Sequence, residues 1–268
     1  MDCNNKIDEI HIIHPSKDES SEDYNASGLD AIYGSENTHF WFKHRKEYIF
    51  KSISSFVKYD DKIIEVGAGT GGVTRYLMSK GYREICVGEL HYSGLMYAKS
   101  YGIKNCYQFD LYRSPFVNKF DSVFMFDVLE HLEDPDLALT KVHMMLREQG
   151  TIALTVPAHK WLWSRDDKIA GHKKRYTKAL ISMELEKSGF EVITSRYFFK
   201  LIVPLLYLRT LIAPDSQKKI LQSEYEKEVK INKIVNGVLF AICKFENIIE
   251  RFLPNSFGGS IFVVGRKI

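Results

Sequence analysis

The 268-residue chain is 45% apolar and 26% charged, with a formal net charge of +3. That balance supplies an ample core for one large α/β domain and argues against a disordered chain or a polyanion as the default partner, so nucleic acid is not expected. Four cysteines, Cys3, Cys86, Cys106 and Cys243, lack metal-ligand spacing, so neither a disulfide scaffold nor a zinc site is expected.

The first ~25 residues are polar and partly acidic, which predicts a mobile leader. They show no basic start followed by an apolar core, so no signal peptide or anchor is expected and the cytoplasm is the simplest location. From Asn37, apolar residues at Phe42, Tyr48, Ile49, Ile53, Phe56 and Val57 have helical spacing. A regular alternation follows: strand 62–66, helix 73–79 ended by Gly81, strand 84–88, helix 93–100 and a short strand near 105–109. Next come strand 122–126, helix 136–147 and strand 151–156, closed by Pro157. After a long loop, Thr177 caps a helix to about Lys187, Gly189 ends it, and a strand spans 191–197. The last strand, 260–266, comes only after an apolar run and a long helical pattern over roughly 216–252. This order predicts a parallel, doubly wound sheet.

The segment IIEVGAGTGGVTRYL joins a buried strand to a helix through Gly67, Gly69, Gly71 and Gly72, a geometry that lets backbone approach a ligand at a helix amino terminus. Gly67, Gly69 and Gly72 also satisfy the dinucleotide fingerprint, and Glu89 could hold a ribose hydroxyl in either setting, so the glycines leave the cofactor open. The wider pattern resembles the class I methyltransferases. Their first motif, E/D-x-G-x-G-x-G, matches Glu65-Val66-Gly67-Ala68-Gly69-Thr70-Gly71; Glu89, followed by Leu90, matches the ribose-binding acid; Asp110 in QFD matches the acid near the adenine. FDSVFMFDVLEHLEDP looks like the fourth-strand motif, with Asp127 and Val128 beside the cofactor and His131 just beyond.

The resemblance implies S-adenosylmethionine as cofactor, and a Rossmann-like sheet of seven strands with the last one antiparallel. It implies a cofactor site of Glu65, Gly67, Ala68, Gly69, Gly71, Glu89, Leu90, Asp110, Asp127 and Val128. Residues 1–36 then form the leader, 37–197 the core with an N-terminal helical cap, 198–257 a helical insertion and 258–268 the closing strand.

Methyl transfer from a sulfonium is an in-line displacement, so alignment and exclusion of water are the main requirements, and no metal is needed. A hydroxyl acceptor would want a base. The loop VPAHKWLWSRDDKIAGHKKRYT begins at the carboxyl end of a strand, where ligands bind in open α/β sheets, and resembles a bacterial methyltransferase subgroup with a VPA-x-x-WLWS-x-x-D-x-x-x-GH-x-RRY loop. Candidate bases are His172, His131 and His159; each could instead brace its loop. Candidate acceptor contacts are Trp41, Trp163, Arg175 and Tyr176, with packing the alternative reading for both tryptophans. HFWF-x-x-R around Trp41 also resembles a segment that closes over the cofactor.

The expected function is methylation of a hydroxyl on a small-molecule, saccharide or lipid-linked acceptor. A nicotinamide-dependent oxidoreductase and a non-catalytic scaffold are the alternatives. The insertion could serve as a lid, a dimer contact or a peripheral membrane surface.

Overall fold

The computed structural model describes residues 6–14, 27–212 and 230–268. One mixed sheet of nine strands runs through it in the order β1-β2-β5-β4-β3-β6-β7-β9-β8. The strands are β1 (Lys6–Ile7), β2 (Ile10–Ile12), β3 (Ile63–Val66), β4 (Ile85–Glu89), β5 (Cys106–Gln108), β6 (Phe120–Phe126), β7 (Leu146–Pro157), β8 (Phe190–Phe198) and β9 (Ser260–Lys267). The helices are α1 (Ser27–Ser35), α2 (Phe40–Ile53), α3 (Gly72–Ser79), α4 (Tyr92–Ser100), α5 (Pro135–Met145), α6 (Arg165–Ile169), α7 (Lys178–Lys187), α8 (Val203–Ile212) and α9 (Lys233–Ile249).

From β2 to β7 every pairing is parallel, and β9 lies antiparallel between β7 and β8, as expected for the last strand. The expected count of seven is corrected to nine, because the leader contributes two strands. Ile10 is fully buried against β4, β5 and α4, so β2 extends the sheet at β5, and β1 pairs antiparallel outside it. Within the segment expected to be a leader, Lys6–Ile7 and Ile10–Ile12 form β1 and β2, and Ser27–Ser35 forms α1.

Strand periodicity places the core. Ile63, Phe124, Ala153 and Phe262 face α2, α3 and α9, while their neighbours Ile64, Val123, Ile152 and Ile261 face α5 and α7. Both faces are covered, which is why the central strands read as continuous apolar runs. Local signals hold at the helix ends: Asp134 accepts from Leu137 N and Thr177 from Leu180 N as caps, and Gly81 and Gly189 adopt φ of +110° and +84°. The fifth helix stops at Met145 rather than Arg147 because buried Leu146 already pairs with Phe120.

The strand order reverses at β3, whose neighbours are β4 on one side and β6 on the other. A crevice opens outside the carboxyl ends of strands at such a point. Between β8 and β9, α8 and α9 stand where the insertion was placed. Residues 216–229 of the expected long helix lie outside the described residues. Helix α9 is fastened to α2: Asn236 Oδ1 accepts from Phe40 N at 2.7 Å, Asn236 Nδ2 donates to Thr38 O, and Tyr48 OH donates to Glu250.

Candidate active site

At the reversal, β3 ends and the chain turns through Gly67, Gly69 and Gly71 with φ of +67°, +55° and +76°. A Cβ on Gly67 would stand 2.6 Å from Val128 Cγ2, and one on Gly94 would stand 2.5 Å from the Gly69 carbonyl oxygen. The loop is thus closed to side chains and lies against Val128, open to a ligand that needs backbone contact. Ala68 continues the turn, its N–H directed at Gly88 O.

Three acids line the ends of successive strands. Glu65 is 3% exposed and accepts from Thr74 Oγ1 at 2.5 Å; burial pushes its carboxyl up to about 7. Glu89 accepts from Gly69 N at 2.8 Å, Leu90 N at 2.7 Å and His91 N at 3.1 Å, which leaves its carboxylate room for one further donor such as a ribose hydroxyl. Asp110 follows β5 and accepts from Tyr112 N at 2.9 Å. The cradle and these acids fit an adenosyl ligand.

Across Val128, the site is built from side chains of three segments. Asp127, at φ +56°, accepts from Thr155 Oγ1 at 2.8 Å, and Arg45 Nε of α2 stands 2.6 Å from its other oxygen, an ion pair whose N–H direction is not that of a hydrogen bond. Beyond it, Glu130 is fully buried, His131 Nδ1 lies 3.2 Å from Gly171 O, and His172 Nδ1 lies 2.8 Å from Asp167 Oδ1. The two imidazole rings meet edge to face with centroids 4.9 Å apart. Desolvation, reinforced by His172, lowers His131 to about 4, so its neutral form prevails. Burial alone would raise Asp167, but the hydrogen bond from His172 and the charge of Arg175 outweigh it and hold the carboxyl below its ordinary range.

The structure thus brings together two of the three candidate bases. His159 stands apart, at φ +57° and stacked with Trp161 and Tyr197 at 5.2 and 4.8 Å. Two expected acceptor contacts are corrected. Tyr176 is fully buried in the core, and Arg175 spends its guanidinium on Asp167 at 2.7 Å and Ala158 O at 2.9 Å, so both brace the loop. Trp41 stacks on Phe199 at 3.9 Å, which makes it a packing residue between α2 and the insertion. Trp163 is half-buried after a short helical turn.

Sequence reading missed α1. Glu36, just after that helix, accepts from Thr70 Oγ1 at 2.8 Å and Tyr101 OH at 2.5 Å, while Leu29 lies over Gly69. It also passed over Glu130, although its motif was in view, and counted Asp167 only among the loop groups that could meet an acceptor, whereas Asp167 holds His172 and Arg175.

A glycine cradle at a sheet reversal, with acids on three successive strand ends, defines a Rossmann-like nucleotide-binding enzyme. The family model described as Methyltransferase domain matches residues 41–195, more than half of the chain. The chain belongs to this methyltransferase family, and S-adenosylmethionine is its cofactor. No curated protein matches.

Among solved structures, the chain resembles one from the complex of the Haloferax volcanii Trm112 methyltransferase activator with a putative methyltransferase (16% identity, 90% of this chain and 93% of that one, TM-score 0.58). It resembles a putative methyltransferase of Bacillus halodurans (15% identity, 83% and 98%, TM-score 0.55). It also resembles Haemonchus contortus phosphoethanolamine N-methyltransferase 2 in complex with S-adenosyl-L-methionine (15% identity, 94% and 58%, TM-score 0.58). At these identities the likeness is one of fold.

Proposed function

We propose that the chain methylates a hydroxyl of a small-molecule, saccharide or lipid-linked acceptor, bound over the carboxyl ends of β6 and β7. The observation that carries this reading is adjacency: Val128 packs on Gly67 of the cofactor loop, and two residues later Glu130 and His131 enter a buried histidine–carboxylate cluster. Bound S-adenosylmethionine supplies an electrophilic methyl group. In the in-line displacement the acceptor oxygen forms the new O–C bond as the C–S bond breaks, and the hydroxyl proton leaves toward the cluster. Gly67, Gly69 and Glu89 hold the nucleoside, and the Arg45–Asp127 pair fixes the floor between the two halves.

A lipid-linked acceptor is favoured within this class by the insertion. Its helices expose Leu211 (62%), Ile212 (74%), Ile234 (78%) and Ile248 (74%), interspersed in sequence with Arg209, Lys233, Lys244 and Arg251. Such surfaces suit the headgroup region of an anionic bilayer. Among the described residues no helix is long and apolar enough to cross a membrane.

The test is calorimetric binding of S-adenosylmethionine and S-adenosylhomocysteine, with reduced nicotinamide nucleotide as control, followed by labelled-methyl transfer to panels of polyprenyl-linked and free saccharides. Transfer to oxygen in the lipid-linked panel is the expected result. Transfer to nitrogen or carbon would overturn the hydroxyl reading, and cofactor binding without turnover on any acceptor class would favour a scaffold.

A further inference from the structure

The cluster beyond Val128 has more order than proton handling requires. We propose that Glu130, His131 and His172 bind a divalent first-row transition-metal ion. One potential ligand atom from each of the three lies within 4.8 Å of the other two. Glu130 is 0% exposed and neither carboxylate oxygen has a hydrogen-bond partner; His172 Nε2, at 3.8 Å, is too far to be one. A carboxylate buried without a partner is costly as an anion. A cation among the three residues removes that cost.

The outer contacts point the same way. His172 Nδ1 is 2.8 Å from Asp167, which is itself held by Arg175 Nε and Ser164 N, and His131 Nδ1 is 3.2 Å from Gly171 O. Each acceptor selects the Nδ1–H tautomer and leaves the lone pair on Nε2, the arrangement that orients metal-bound histidines. Lys173 N donates to Glu130 O at 2.8 Å and so locks the His172 loop to the β6 segment. Two imidazoles and one carboxylate select zinc, iron, cobalt or manganese over magnesium or calcium, and three protein ligands leave a coordination position open. Cysteine spacing could not reveal such a site, since no cysteine takes part. If the functional reading above holds, the open position faces the acceptor.

The experiment uses the untagged full chain, stripped with chelator and dialysed. Zn²⁺ is titrated calorimetrically and Co²⁺ by its visible absorption, with S-adenosylmethionine binding measured on the same samples. One ion per chain is expected, with affinity weakened about tenfold or more in Glu130→Gln and His172→Asn, a thermal-melt rise on metal addition that both variants lose, and cofactor binding unchanged in both. Absence of Zn²⁺ and Co²⁺ binding in the native chain, or binding that neither substitution alters, overturns the metal site. Failure of the native chain to bind S-adenosylmethionine would instead strike the functional reading and leave the metal result standing.

Discussion

On the glycine-loop side of Val128, where we propose that the cofactor lies, the geometry is set by the backbone: three left-handed glycines, and a Glu89 carboxylate held by the N–H groups of Gly69, Leu90 and His91. On the far side it is set by charge. Arg45, Asp127, Asp167, His172 and Arg175 arrive from α2, from the end of β6 and from the loop after β7 and pair with one another, around a Glu130 carboxylate that has no hydrogen-bond partner. The first half tolerates changes of charge better than changes of shape, and the second the reverse. A shape-conserving change should therefore be mild on the glycine side and severe in the cluster.

The largest effect is expected from Asp167→Ala. Asp167 is 1% exposed and receives His172, Arg175 and Ser164 N. Its loss leaves Arg175, 13% exposed at the side chain, without its carboxylate, a change worth about 3–5 kcal/mol of stability. Chemical denaturation checks it, and the sign with pH is fixed. A carboxyl depressed in the folded state contributes stability above its unfolded pKa that fades as pH falls through the folded value, so the gap between native and variant should close in acid. A gap that holds constant would mean that packing, not charge, organises this half.

Next is Gly67→Val. The positive φ and the 2.6 Å approach to Val128 leave no room for a branched side chain, so S-adenosylmethionine affinity is expected to fall about 100-fold by calorimetry, roughly 2.7 kcal/mol. Retained affinity would show that the loop can shift, contrary to a backbone-built site.

The same contrast explains what the sequence disclosed. The strand, turn and helix around Gly67 to Gly71 were legible because they follow one another within a few residues and glycine is demanded by local φ, while Glu65, Glu89 and Asp127 stood out only through the methyltransferase motifs they match. The antiparallel β9 was expected from the methyltransferase resemblance, since a late apolar strand alone fixes neither its direction nor its place in the sheet. The cluster was not: Glu130 is an ordinary acid that only folding sets beside the His172 loop, much later in the chain, and the role of Asp167 depends on how that loop turns to face it. Tyr176 misled because an aromatic beside a basic turn looks like a contact residue until the bridge from Ala158 to Tyr176 draws it into the core. In the leader, overall polarity hid Ile10 and Leu29, two apolar residues that are buried at the sheet edge and over the glycine loop.

Glu65 is the exception within the cofactor half, a buried charge among backbone contacts, and so sharpens the contrast. Its carboxyl is raised from 4.5 to about 7 by burial. A carboxyl raised on folding holds its proton more tightly in the native state, so native stability falls as pH rises from 4.5 to 7 and the cost is complete above that. Glu65→Gln keeps an oxygen for Thr74 and has no charge to bury. It is expected to match the native chain closely in stability at pH 5 and to exceed it at pH 8 by about 3 kcal/mol in chemical denaturation. The opposite ordering would mean that Arg45, not burial, governs this carboxyl.

The smallest expected effect concerns the cover that α1 provides. Thr70 Oγ1 donates to Glu36, the acid that also receives Tyr101 OH, and so ties the glycine loop to the segment after α1. Thr70→Val conserves shape and removes only that bond, worth about 1 kcal/mol. If α1 holds the loop in its ligand-ready form, the loss should appear as about fivefold weaker S-adenosylmethionine binding with little change in melting temperature, because the loop's own glycine turns persist. Tyr101→Phe, which removes the second bond to Glu36 from outside the loop, should have a smaller effect on the same measurement. Equal melting shifts with unchanged affinity in both variants would reduce α1 to a structural cover and leave the cofactor half entirely to its backbone.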